Sequence, residues 1–243
     1  MLINKLDEGI VRRFWRERKE RPKKSHHASE LSYKTETEIV GACIRKQFYD
    51  WIKQKPSDVN PTRLYFAEVG RLLHKNLFKS LWEEAEVLIY EELPLSVDVK
   101  GLKDIHGYVD DIMKIDKKVI MAEIKTTQGK GMTSKGFGIK YCGAKLTDEL
   151  QLLYYKDHYT PDDKVKALGK ITEYWILYFA RDSFYRMELP LDLDGVNWNK
   201  CYDRWHDLEG FLKIGTPPPR DFKAGTYPCT WCVYETYCWS RRA

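Results

Sequence analysis

No apolar run in this 243-residue chain is longer than the seven residues Tyr174 to Ala180, against the roughly 20 that a membrane-spanning helix needs. That excludes a spanning segment of this kind, and no membrane partner is expected. The first residues lack the apolar h-region of a secretory signal, so the reading expects a reducing cytoplasm, where six cysteines more often bind metal than pair as disulfides. There is no internal repeat, no long low-complexity tract and no Gly-x4-Gly-Lys-Ser/Thr run; repeat architectures are excluded and nucleotide hydrolysis on a phosphate loop is disfavoured. Charge of one sign is also scarce, with a net value of only +5.

What is present is a globular composition, 43% hydrophobic and 32% charged, with eight tryptophans and sixteen tyrosines. The whole charge excess lies in residues 1–34, where ten bases face five acids; this basic arm reads equally as a phosphate-binding device and as a solvated helix face. Thr35-Glu-Thr37 supplies a helix start for a segment running to about Trp51. Pro56 and Pro61 interrupt it, and a longer helix is expected from about Arg63 to Glu86, with Phe66, Val69, Leu73, Leu77 and Leu81 at helical spacing. Three strand-like runs follow, Val87 to Val97, Ile105 to Ile115 and Lys118 to Thr126, the last two joined as a hairpin. Residues 128–143 hold five glycines among Lys130, Lys135 and Lys140 and read as a mobile, DNA-facing flap. A helix over 144–158, strands over 171–180 and 184–189, a helix over 197–212 and a cysteine-rich tail complete an α/β sandwich with additions at both ends.

The chemistry begins with Asp110, Glu123 and Lys125. Strand positions two apart share a face, so Glu123 and Lys125 point into one space. A hairpin partner can bring Asp110 beside Glu123, and two adjacent carboxylates repel unless a cation stands between them. Lys125 could then orient a water nucleophile or stabilise charge on a phosphate. Alternation through Ile105, Gly107, Val109, Met113 and Ile115 puts Asp111 on the opposite face from Asp110, so only one shares the metal unless a bulge intervenes. His74 follows Gly70 by one helical turn, and Gln151 precedes Tyr155 by one turn on the next helix.

The ordered set Gly70-x-x-x-His74, Gly107-x-x-Asp110, Glu123-x-Lys125 and Gln151-x-x-x-Tyr155 resembles the RecB-like branch of the PD-(D/E)XK nucleases over roughly residues 35–240. The departure is Val109, where that family places proline before the aspartate. The resemblance implies a restriction-endonuclease-like core with a central mixed sheet flanked by helices. It further implies that His74, Asp110, Glu123 and the Ile124 carbonyl bind Mg or Mn, that Lys125 is catalytic together with Asp110 and Glu123, and that Gln151 and Tyr155 contact DNA.

Cys229-x-x-Cys232-x5-Cys238 clusters three thiols in the tail and needs a fourth ligand. Four thiolates suit zinc as well as an iron–sulfur cluster. Cas-four CRISPR-adaptation nucleases and AddB-type nucleases carry one early cysteine and a late run of this kind. The resemblance therefore implies that Cys43 joins Cys229, Cys232 and Cys238 on an iron–sulfur cluster, 4Fe–4S. The expected organisation is a basic arm (1–34), a helical segment carrying Cys43 (35–62), the nuclease core (63–215) and the tail (216–243), which packs with 35–62 around the cluster. The expected function is a DNA exonuclease with 5'-to-3' single-strand preference and scope for endonuclease cutting. It would process DNA ends either for spacer acquisition with Cas-one and Cas-two integrase partners or in phage or cellular recombination. The competing reading is a non-catalytic iron–sulfur module that holds DNA or recruits a partner.

Overall fold

The computed structural model describes residues 2–20, 23–135, 138–183 and 185–240. Arg21 of the basic arm, Gly136 of the glycine-rich segment and Phe184, where the last strand was expected to begin, lie outside the described residues. The chain folds as an α/β structure with a central mixed sheet flanked by helices.

The sheet grows from an antiparallel meander. Strand β4 (Leu88–Val97) pairs with β5 (Ile105–Ile115), and β5 pairs with β6 (Lys118–Thr127). The turn residue Asp116 takes a positive φ of 54°, as a two-residue hairpin link requires. The chain then leaves the sheet, crosses through helix α7 (Leu146–His158), and returns as β7 (Ile171–Ala180) parallel to β6. Antiparallel β8 (Arg186–Pro190) closes that edge. Strand β1, only His26–His27, joins β5 in parallel at Ile105 and His106.

This topology leaves a gap. One edge of β5 is taken along its length by β4, from Ile105 to Met113. The other edge is shared: β1 takes Ile105 and His106, while β6 takes Asp111 to Ile115. Among the described residues, 107–110 have no strand partner on that side, and the candidate site is built there.

The larger core, containing Ile112, Met121, Ile176, Tyr178, Leu150, Tyr154 and Trp205, lies between the sheet, α7, helix α2 (Ile44–Trp51) and helix α9 (Trp198–Ile214). A smaller core of Phe78, Met113, Ala122, Ile124 and Leu177 covers the other face. It lies beneath the long helical element formed by α3 (Pro61–Leu72), a π-helical stretch over Leu73–Phe78, and α4 (Lys79–Glu84). Pro61 stands at the first turn and Asn60 caps it through its side chain.

Four expectations are corrected. The helix expected from Thr35 begins only at Ile44. The residues before it form a two-stranded hairpin, β2 (Ser32–Lys34) with β3 (Ile39–Gly41). The reason is local: the Thr35 hydroxyl accepts the N–H groups of Thr37 (3.3 Å) and Glu38 (3.0 Å), making a turn instead of a helix cap. The glycine-rich flap carries two short helices, α5 (Gly129–Thr133) and α6 (Ile139–Cys142). An unanticipated helix, α8 (Asp163–Leu168), starts at the cap Asp162, whose carboxylate accepts Val165 N–H at 2.9 Å. Strict alternation also fails in β5: Ile105, Val109 and Ile112 join the larger core and Met113 the smaller. The phase changes between Val109 and Asp110, just past the last β6 pair at Asp111.

Candidate active site

The β5–β6 ladder ends at the pair Asp111–Ala122. One residue further along, the Asp110 carboxylate takes over the role of ladder partner, and its Oδ2 accepts the Ile124 N–H at 2.8 Å. This places Asp110 beside Glu123, where its negative charge raises the Glu123 pKa. Glu123 is 1% exposed. Burial first, then Asp110, push its pKa up to about 8. Burial likewise raises Asp110.

Lys125 donates to Glu123 Oε1, and to Gln151 Oε1 at 3.0 Å. Burial works against its charge, but Glu123 and Asp148 outweigh it and hold the pKa above the ordinary lysine value. The ammonium is therefore fixed between a strand and a helix. Gln151 Nε2 donates on to the Tyr155 hydroxyl at 2.8 Å, and the Tyr108 backbone lies near enough to that hydroxyl to favour its ionised form slightly. Tyr155 is fully buried. Its ring lies so close to Gly107 that a Cβ there would stand 2.7 Å from Tyr155 Cε1. Gly107 thus lets α7 close over the gap in β5, and Tyr155 holds Gln151 from behind.

His74 approaches from the other face, on the π-helical stretch. Its Nε2 stands 3.9 Å from Asp111 Oδ1, an ion-pair distance beyond hydrogen-bond range. Asp111 chiefly, with Asp110 as a further negative neighbour, raises the His74 pKa. The helix is held down at Gly70, where a Cβ would lie 2.4 Å from Thr126 Oγ1, and by Arg181 Nη1, which donates to the Phe66 carbonyl at 3.0 Å. The structure thus gathers Asp110, Glu123, Lys125, Gln151 and Tyr155 on one side, and puts His74 against Asp111 on the other.

Among the described residues no three His, Cys, Asp or Glu side chains stand together at metal-holding separation. The donor chemistry nevertheless fits a hard divalent cation. Among the described residues, Glu123 Oε2 and Asp111 Oδ2 are buried without hydrogen-bond partners, an arrangement costly for carboxylates and relieved by a cation. Cys43 leads α2 as its N-cap residue, Cys229 begins a 3-10 turn ended by Cys232, and Cys238 lies on α10 (Glu235–Ser240). All four are free thiols. Cys232 feels Cys229 and Cys238, and Cys43 feels Cys232, so the four lie in one neighbourhood without standing at metal-holding separation. Burial pushes Cys43 up to about 12 and raises Cys229 and Cys232, so the neutral thiol is favoured where no cation stands by to stabilise the thiolate. That donor set fits zinc or a cluster.

Three residues of this region escaped the sequence reading. His27, Glu92 and Tyr108 line a cavity of about 300 Å³ together with Asp110, Gln151 and Tyr155. Only the short pairing of β1 with β5 brings His27 here, and a two-residue strand carries no periodicity to find it by. Glu92 has a positive φ of 46°, strain of the kind that collects at functional sites, and no sequence signal marks it.

Neither a family model nor a curated protein matches the chain. Among solved structures, the crystal structure of SSO0001 is similar, at 17% identity, with a TM-score of 0.56, covering 100% of this chain and 98% of that one. A presumed exonuclease from Eubacterium rectale matches at 10% identity and a TM-score of 0.42, over 86% of this chain and 88% of that one. The first likeness shows a shared fold; the second is too slight to carry an argument.

Proposed function

We propose that the chain is a metal-dependent DNA nuclease of the RecB-like PD-(D/E)XK type. One observation carries the reading. At the point where β5 and β6 part, Asp110 and Glu123 stand together with an uncommitted buried carboxylate oxygen, and Lys125 is fixed beside them by Gln151. A structural ion pair needs neither the second carboxylate nor the gap in the sheet.

Asp110, Glu123 and the Ile124 carbonyl, with His74 from the facing helix, would hold Mg or Mn. When bound, such an ion supplies Lewis-acid polarisation of a phosphoryl oxygen and a more acidic water. The chain's own residues do the rest. Lys125, already charged and oriented, places its ammonium where it can align the attacking water or meet the extra negative charge of the phosphate. Gln151 holds that ammonium in place, and Tyr155 holds Gln151. The four cysteines Cys43, Cys229, Cys232 and Cys238 would hold an iron–sulfur cluster in a structural role. End processing of DNA with a 5'-to-3' single-strand preference, alongside Cas-one/Cas-two integrase partners or in recombination, is the context this reading suggests.

The test is digestion of end-labelled linear and covalently closed circular single-stranded DNA with Mn, Mg or chelator, using anaerobically purified protein beside Lys125→Ala. Metal-dependent loss of the linear strand, reduced on the order of 10²-fold or more in the variant, is expected. DNA binding without cleavage would favour the recruitment module instead.

A further inference from the structure

The proposed phosphodiester chemistry makes no use of His27, Glu92 or Tyr108, although all three line the 300 Å³ cavity that opens beside Asp110. Each offers a different kind of contact. Tyr108 is 53% exposed, while its backbone is held in the β4–β5 ladder opposite Pro94. It is an aromatic face on a fixed base.

His27 Nδ1 accepts the Ser29 N–H at 3.2 Å. A backbone N–H can only donate, so Nδ1 bears the lone pair and the neutral ring carries its proton on Nε2. Burial and the nearby positive charges of Lys23 and Lys125 favour that neutral form. Among the described residues Nε2 has no recorded partner. Glu92 lies between Glu91 and Leu93, which pair with Asp111 and Val109, and is kept in the left-handed region. It adds an acceptor, and with Asp110 it makes the rim unfavourable for a phosphate entering the cavity itself.

A neutral, flat ligand that presents a π-face, ring acceptors and amino donors matches this combination, and those are the properties of a nucleobase. The volume lies at the small end of pockets that hold organic ligands, so a base would enter singly, unpaired.

We propose that this cavity is a subsite for one unpaired nucleobase next to the scissile phosphate, with Tyr108 as its stacking face and His27 Nε2 as a hydrogen-bond donor. The proposal rests on the nuclease reading and deepens it. Strand preference is set here, because a duplex must release a base from its stack before the subsite is filled. Stacking accepts any base, so the site selects for strandedness and not for sequence.

The experiment is a binding cycle on the full chain carrying Lys125→Ala, with a labelled single-stranded oligonucleotide in which one abasic nucleotide is moved stepwise along the strand. At one position the abasic gap is expected to weaken binding by roughly 5- to 150-fold. Tyr108→Ala should cost a similar factor on the intact strand, and the two changes together should cost no more than either. Tyr108→Phe should bind as the parent does, and His27→Ala should show a smaller loss at the same position. Additive losses at every position would overturn the subsite. Absence of DNA binding would overturn both the subsite and the nuclease reading. A preserved cycle with no metal-dependent cleavage by the unsubstituted chain would support the subsite and sink the nuclease reading alone.

Discussion

At the scale of single residues, two close approaches and one buried imidazole decide how firmly the site is held. Gly70→Ala would gain about 1 kcal/mol of helix propensity in isolation. Here the added methyl would lie 2.4 Å from Thr126 Oγ1, on a β-branched side chain with little rotamer freedom. The clash should win, with a net loss of roughly 1–2 kcal/mol in denaturant unfolding; Thr126→Ala in the same chain should restore most of it. Failure of that rescue would mean the glycine serves some other purpose. His26 is fully buried, stacked on Trp205 at 4.8 Å, with Nε2 3.0 Å from Glu209 Oε1 and Nδ1 without a partner. Burial lowers its pKa despite Glu209. The unfolded chain therefore takes up a proton near 6.5 that the folded chain resists. The contribution is complete above that pH and is lost as pH falls through the lower folded value. Thermal unfolding of the unsubstituted chain should weaken between pH 7.5 and 5.5 more steeply than that of His26→Phe, which keeps the stack and removes the titration. Asp110, Glu123 and Lys125 were legible in the sequence because their relation is local to one hairpin. His27 and Tyr108 were not, because what brings them together is the pairing of β1 with β5, almost eighty residues away.

At the scale of elements, the basic arm resolves into helix α1 (Leu2–Glu20), which packs along α3. Arg13 reaches Glu68 at 3.1 Å, and Arg18 reaches Asp50 at 2.8 Å. Asp50 also accepts from Lys46 at 2.8 Å and from the Tyr234 hydroxyl at 2.7 Å. One carboxylate thus joins the arm, α2 and the tail. Burial works against its ionisation, but Lys46, Tyr234 and Arg18 together hold its pKa below the ordinary value. Asp50→Asn is expected to cost about 1–3 kcal/mol, less than a fully buried pair because the side chain keeps some exposure, and to speed proteolytic release of α1. Glu8→Ala, which breaks only exposed pairs to Lys5 and Arg12, should change neither measurement. The arm's charge was plain in the sequence, but its docking was not, since a carboxylate at position 50 announces nothing about three donors arriving from three elements. The hairpin over residues 32–41 was misread for a related reason: Thr35 is equally suited to a helix cap and to a tight turn, and tertiary context chose the turn.

At the scale of the whole molecule, the proposed cysteine ligands would tie the start of α2 to a tail that is nearly two hundred residues downstream. A metal centre across Cys43 and Cys229 would close almost the entire sheet and its helices into one loop, and a long closed loop loses conformational freedom in the unfolded chain. Without that centre the tail still has its hydrogen bonds: Ser57 and Asp58 bond the Val233 carbonyl and the Thr236 side chain, Arg63 donates to the Thr230 carbonyl at 3.0 Å, Tyr234 donates to Asp50, and Asp221 accepts from Ile44 N–H and Arg204. If the proposed centre is present, Cys43→Ser and Cys232→Ser should therefore each remove bound metal, lower the thermal midpoint and expose the tail to protease while Asp110, Glu123 and Lys125 stay in place. Cys142→Ser, exposed and not among the proposed ligands, should leave metal content and midpoint unchanged. Metal analysis of anaerobically purified protein separates the two compositions that four thiolates allow: iron with acid-labile sulfide and visible absorption, or zinc with neither. Equal metal content in the Cys43→Ser and unsubstituted chains would remove residue 43 from the ligand set and reduce the closure to the tail itself, a short loop too small to affect the stability of the sheet.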